Sequence, residues 1–171
     1  VTTLQPFDAA FRGELRWRQP ARLRSRWELT ADGTVVATLA AAGPLAFAAL
    51  ARFRQGTWRF RPRFPGRVDV FEAGAEVARA RFRPGWFMGG RLERAAEEVP
   101  LRWARENLWG NRWVFRTEEL HPFLHVRVHW GFLRHEATIE LEDAARRAAD
   151  LPVLVALGWY LALRAARHNS G

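Results

Sequence analysis

The stretch Leu151-Pro-Val-Leu-Val-Ala-Leu-Gly-Trp-Tyr-Leu-Ala-Leu163 has no charge and no polar face. A helix that is apolar all round must be buried on every side. It is also shorter than the ~20 apolar residues a membrane-spanning helix needs. The chain before it reads as strands. One molecule satisfies both facts by curling its strands around the helix. The sequence therefore predicts an all-β fold with one buried helix: a closed antiparallel barrel of about twelve strands around a C-terminal core helix. Leu154, Leu157, Trp159, Tyr160 and Leu161 supply bulk there, and Ala156, Gly158 and Ala162 let strands approach. Pro152 suits the first helical turn. Asp150 faces the positive end of the helix dipole, and Arg164 and Arg167 complement the negative end.

Upstream, alternation and turn residues mark the strands. Predicted strands run over Glu14–Arg18, Leu23–Thr30, Thr34–Ala41, Leu45–Phe53, Thr57–Arg63 and Arg67–Glu72. Glu76–Arg83, Phe87–Glu93, Val99–Ala104, Arg112–Thr117, Pro122–Trp130 and Arg134–Leu141 complete the set. Ala31-Asp32-Gly33 is a hairpin signal. The charge-free run Val35–Ala51 is long enough to suggest a membrane span. Gly43-Pro44 at its centre makes two strands the better reading. Residues 142–150 form a short helical lead-in and 151–164 the central helix. The residues before Glu14 and the tail 165–171 are expected to be loosely ordered. Nothing divides the chain, so 1–171 reads as one domain.

The composition suits a broad interior: 49% of residues are apolar, with nine Trp and twelve Phe. The absence of Cys excludes disulfides, thiol catalysis and thiolate metal sites. Val1-Thr-Thr-Leu-Gln-Pro has neither a basic start nor an apolar core, so no signal peptide is expected. All 27 basic residues are Arg and the formal charge is +9. Such a surface favours anionic partners.

The openings Glu14-Leu15-Arg16-Trp17 and Gly56-Thr57-Trp58-Arg59-Phe60, then Asn107-Leu108-Trp109, Trp113-Val114-Phe115 and Leu157-Gly158-Trp159-Tyr160 together resemble the tubby C-terminal-like superfamily. That group includes tubby proteins, phospholipid scramblases and plant LURP-one-related proteins, and the likeness is to its small bacterial members. It runs from about Glu14 to Leu163. The resemblance implies a twelve-stranded barrel around the helix, and lipid binding by analogy. The cysteine lipidation sites of scramblases and the phosphoinositide-contact motif of tubby proteins are missing.

Three arginine triplets are the candidate anion- or lipid-binding residues: Arg22, Arg24, Arg26; Arg59, Arg61, Arg63; and Arg79, Arg81, Arg83. A spacing of two puts each triplet on one face of a strand. Trp27, Phe60, Ala80 and Phe82 then point inward. Arg forms bidentate pairs with phosphate. The competing explanation is that a barrel wall needs polar outward residues and this chain fills them with Arg.

Other chemistries have little support. His121, His125 and His129 alternate as part of a strand, four residues or ~13 Å apart, too far to share one ion. In that strand Leu124, Val126, Val128 and Trp130 point inward. His129 and His135 could sit opposite each other across the Gly131 turn, but two exposed imidazoles without a carboxylate at fixed spacing make a weak ligand set. Ser25 and Ser170 lie outside any nucleophile elbow. The pairs Glu97-Glu98 and Glu118-Glu119 are adjacent, so they diverge. Gly89-Gly90 lacks the following helix of a phosphate loop. Trp103, Trp109 and Trp113 read as core rather than as a base-stacking platform. No catalytic residue, metal or cofactor is expected.

The leading expectation is a non-enzymatic binding module, cytoplasmic and peripheral at an anionic membrane surface. The alternatives are a protein-interaction or structural module with incidental charge, and a non-specific nucleic-acid binder.

Overall fold

The computed structural model describes residues 3–20, 25–41, 48–131 and 134–168. Twelve strands run in order: β1 (Leu15–Arg18), β2 (Arg26–Ala31), β3 (Thr34–Ala41), β4 (Ala49–Phe53), β5 (Gly56–Arg63) and β6 (Arg67–Glu72), then β7 (Ala80–Pro84), β8 (Gly90–Arg94), β9 (Glu97–Arg105), β10 (Arg112–Arg116), β11 (Pro122–Trp130) and β12 (His135–Leu141). Each pairs antiparallel with its sequence neighbours, and β12 pairs with β1, closing the barrel. Closure leaves no strand edge unpaired. Two helices follow, α1 (Asp143–Arg146) and α2 (Leu151–His168).

Period-two patterning sets the faces. Trp17, Trp27, Leu29, Phe60, Val68, Phe82 and Leu92 all point inward and are buried. The β2–β3 hairpin turns on Asp32 (φ 45°) and Gly33 (φ 83°), the left-handed pair that matches strand twist. The charge-free run supplies β3 and β4. Its centre, 42–47, lies outside the described residues. Among the described residues no helix is long and apolar enough to cross a membrane.

Helix α2 occupies the interior. Val155, Ala156, Leu157 and Trp159 have no exposed surface. Trp27 of β2 meets Trp159 edge-on with ring centres 6.3 Å apart, and Phe60 of β5 lies 5.2 Å from Tyr160. Across the barrel, Gly158 faces β10 and β11. A Cβ there would stand 3.1 Å from Val126 Cγ2 and 3.4 Å from Phe115 Cε2. The missing side chain thus lets the wall close on the helix. The helix runs past the expected end at 164 to His168, so this part of the tail is ordered.

Asp150 does more than face a dipole. Arg94 Nη1 donates to its Oδ1 at 3.1 Å, and the Arg94 side chain is buried. The described residues before Glu14, 3–13, are also ordered, contrary to expectation. Phe7 is buried edge-on against Phe53 at 5.7 Å. Gln5 N donates to Val35 O at 3.1 Å, and Gln55 Nε2 donates to Phe7 O at 2.6 Å. Arg146 of α1 donates to the carbonyls of Ala9 and Phe11. A buried ring and a guanidinium hold this segment, through contacts that no local pattern reveals. It covers the end of the barrel where α2 enters.

Antiparallel order alternates the turns between the two ends. The β5–β6, β7–β8 and β9–β10 turns lie where α2 exits, and Arg164 near the helix end donates to Gly66 O at 3.3 Å.

Candidate anion-binding face and cleft

Strand register decides what the arginines form. Arg63 of β5 pairs with Arg67 of β6. Arg67 lies one step from the Val68–Phe82 pair, level with Arg83 of β7. Arg83 pairs with Arg91 of β8, Arg91 with Arg102 of β9, and Arg102 with Arg116 of β10. Six outward arginines therefore cross six neighbouring strands in one row. The sequence triplets supply only Arg63 and Arg83 of these.

The triplet arginines themselves are engaged. Arg22 and Arg24 lie outside the described residues. Arg26 stands 3.7 Å from Glu28. Arg59 and Arg61 cover the ring of Phe71 at 5.5 and 5.3 Å, which explains how an outward-facing Phe is buried. Asp69, also outward, is only 4% exposed. Arg67 Nη2 and Arg81 Nε each lie 3.2 Å from its carboxylate, and Arg63 Nε lies 3.6 Å away. Arg79 pairs with Glu72 at 3.3 Å and Arg83 with Glu93 at 2.9 Å. These groups hold the wall together as well as charging it.

Further round, the row enters an open cleft of about 800 Å³. Arg83, Arg91, Arg102, Arg105 and Arg116 line it, with Trp86, Phe87, Leu108 and Leu120 as its apolar lining. Arg91 and Arg102 share Glu118, at 3.7 and 3.4 Å. Arg116 pairs with Glu106 at 3.2 Å. Arg105 has no ion pair among the described residues. Five guanidiniums meet three carboxylates here, and the surplus is positive. Arg91 and Arg102 remain more than half exposed, so an incoming phosphate reaches them.

Gly90 lets β7 and β8 close at their turn. It faces the Phe82 ring and the Arg83 carbonyl so closely that a Cβ would overlap both. Gly89-Gly90 leads into β8, as expected of a turn with no following helix.

His125 and His129 lie in β11 in different surroundings, while His121 is exposed just before it. His125 is half-buried, 3.0 Å from Glu106 and 3.5 Å from Glu142. Burial pushes the Glu106 carboxyl up, but the hydrogen bond and charge of His125, with Arg116 and Arg112, outweigh it and hold it below its ordinary value. His129 lies opposite Glu136 rather than His135, which pairs with Trp130. Trp130 is 40% exposed, not inward, because it sits at the strand end beyond the packed interior. Ser25 likewise is exposed, outside β2.

Trp103 and Trp113 are core residues, stacked at 5.4 Å. Trp109 is not. It stands 88% exposed at the tip of the β9–β10 turn. The sequence does not single out Arg91, Arg102, Arg105 and Arg116, because none has another Arg two residues away in its strand. Only register brings them together. Comparison with protein-family models, curated proteins and solved structures gave no match.

Proposed function

We propose that the protein is a non-enzymatic binding module that docks on anionic phospholipid headgroups through its basic wall. The observation that carries this reading is the six-arginine row leading into the cleft. Guanidiniums stay charged at every relevant pH and take phosphate oxygens in pairs. A file of them spanning half the barrel suits a surface of many phosphates better than a single small ligand. The twelve-stranded barrel around a helix is the architecture the tubby-like resemblance implies, and it supports membership of that superfamily. The site of action on this reading is the cytoplasmic face of a membrane, with the helix kept inside the barrel.

Co-sedimentation with neutral and anionic vesicles tests it, at low and at physiological salt. Surface Coulomb attraction weakens as the Debye length shrinks to ~8 Å at physiological ionic strength. Binding should therefore be confined to anionic vesicles and fall with salt. The informative variant is Arg91→Ala/Arg102→Ala, because removing Arg63 or Arg81 also disturbs Asp69. Wild-type protein that ignores both vesicle types would refute the proposal and leave a protein-interaction module.

A further inference from the structure

Five large apolar side chains stand almost wholly in solvent at one end of the barrel. Phe64 is 100% exposed, Trp86 89%, Phe87 84%, Leu108 90% and Trp109 88%. They occupy the tips of the β5–β6, β7–β8 and β9–β10 turns, which strand order places together at the helix-exit end. Single exposed apolar residues are ordinary, whereas a group of this size marks an interaction surface.

The tips are held firmly. Asn107 Oδ1 accepts from Asn111 N at 3.3 Å and Arg112 N at 3.2 Å, and Trp113 Nε1 donates to Gly110 O at 3.1 Å. Gly85 N donates to Gly89 O at 2.8 Å. Between those glycines, Phe87 (φ 53°) and Met88 (φ 64°) are left-handed. Asn-Gly fills such a turn without strain, and a bulky aromatic does not. The chain thus presents Phe87 to solvent against both its solvation and its backbone preference.

Charge is divided in the same sense. Among the described residues the exit-end turns carry one carboxylate, Glu106, already held by Arg112, Arg116 and His125. The opposite end carries Asp32, Glu76, Glu118, Glu119 and Glu142. Arg63, Arg83 and Arg105 sit at the strand ends below the tips, and Arg164 reaches the β5–β6 turn. Aromatic rings settle at the headgroup level of a bilayer, and guanidiniums beside them meet its phosphates.

We infer that this end enters the headgroup layer of an anionic phospholipid bilayer, tips first. The inference rests on the docking reading above and adds two things: a fixed orientation and an apolar component of binding that salt does not screen.

The test uses vesicles of equal parts phosphatidylcholine and phosphatidylserine whose acyl chains are brominated near the glycerol. Bromine quenches only indoles that reach it. Wild-type emission should drop on binding. Trp86→Phe/Trp109→Phe should still bind, with most of the quenching gone. Trp86→Ser/Phe87→Ser/Trp109→Ser should lose at least about tenfold in affinity and all of the salt-resistant fraction. The substituted side chains are exposed, and an unchanged melting temperature will show that the variants are folded.

Wild type that binds but is not quenched, together with a serine variant that binds equally well, overturns tip insertion and leaves docking standing. Failure of the wild type to bind any vesicle defeats the docking reading itself, and this inference with it. A wild-type oligomer that the serine variant converts to monomer, without lipid quenching, assigns the tips to contact between copies and also overturns the inference.

Discussion

Asp69→Asn separates structural from merely decorative arginines. Asp69 faces outward from β6, yet it is buried under Arg63, Arg67 and Arg81. The substitution keeps the shape and removes the charge. At an effective dielectric of about 20, one ion pair at ~4 Å is worth ~4 kcal/mol before desolvation. Breaking a buried pair typically costs about 3–5 kcal/mol, because the remaining charge is left uncompensated. Here the three guanidiniums are 38–48% exposed and keep some water. The loss should therefore lie at the low end, about 3 kcal/mol.

For a chain of this size ~1 kcal/mol moves the melting temperature by about 2–4 °C, so a fall of about 6–12 °C is expected by circular dichroism. Most of it should persist in ~1 M salt, since a covered carboxylate is poorly screened. The contrasting substitution is Asp143→Asn, whose pair with Arg12 is exposed on both sides at 3.0 Å and should move the melting temperature by less than ~2 °C. An Asp69→Asn protein that melts within ~2 °C of wild type would show that the cluster is solvated after all and that the wall needs no clamp.

Three further outcomes follow from the core and the turn. Leu157→Asp places an unpaired carboxylate at a fully buried position, and its cost approaches the whole stability of about 5–15 kcal/mol; soluble protein with an unchanged melting temperature would rule out a central helix. Tyr160 is the single tyrosine, and burial pushes its phenol up to about 12, with Arg164 and Arg167 partly opposing. Its folded value lies above the unfolded one near ~10, so the stabilisation is complete below that pH and is lost as pH rises through about 12; phenolate absorbance of folded protein should rise near pH 12, and a rise near ~10 with the fold intact would contradict the burial. Phe87→Asn relieves a left-handed aromatic that costs about 1–2 kcal/mol and loses little packing, so it should raise the melting temperature by about 2–8 °C; a fall would mean that the ring supports the turn.

Faces were legible and partners were not. Alternation alone put Trp27, Phe60, Ala80 and Phe82 inside and their neighbouring arginines outside, and the apolar run at Leu151 announced its own burial. Parity says only that a side chain leaves the core. It does not say whether Arg63 meets water or the carboxylate of Asp69, because that depends on register. Register between neighbouring strands is set by their turns and by the buried faces they must share, which the sequence of one strand does not report. The same limit hid the row from Arg63 to Arg116 and placed Trp109 in the core. Trp109 differs from Trp113 by four residues and by one turn, and the hydrogen bonds of Asn107 decide which ring stays out.

The barrel explains why its exit end tolerates so costly a surface. In an ordinary sandwich the core lies between sheets, and exposing large rings at loop tips competes with burying them. Here α2 fills the interior, and Trp27, Phe60, Phe115 and Val126 already close on it. The tips lie beyond this packed interior. Phe64, Trp86 and Trp109 are therefore free to stay outside without weakening the core, and the left-handed Phe87 is carried by a wall stable enough to bear its strain. A turn that needed only to connect β7 to β8 would favour Asn-Gly at Phe87-Met88. Strain that persists at an exposed tip, beside a cleft of unmatched positive charge, is most simply understood as the cost of what the tip must touch.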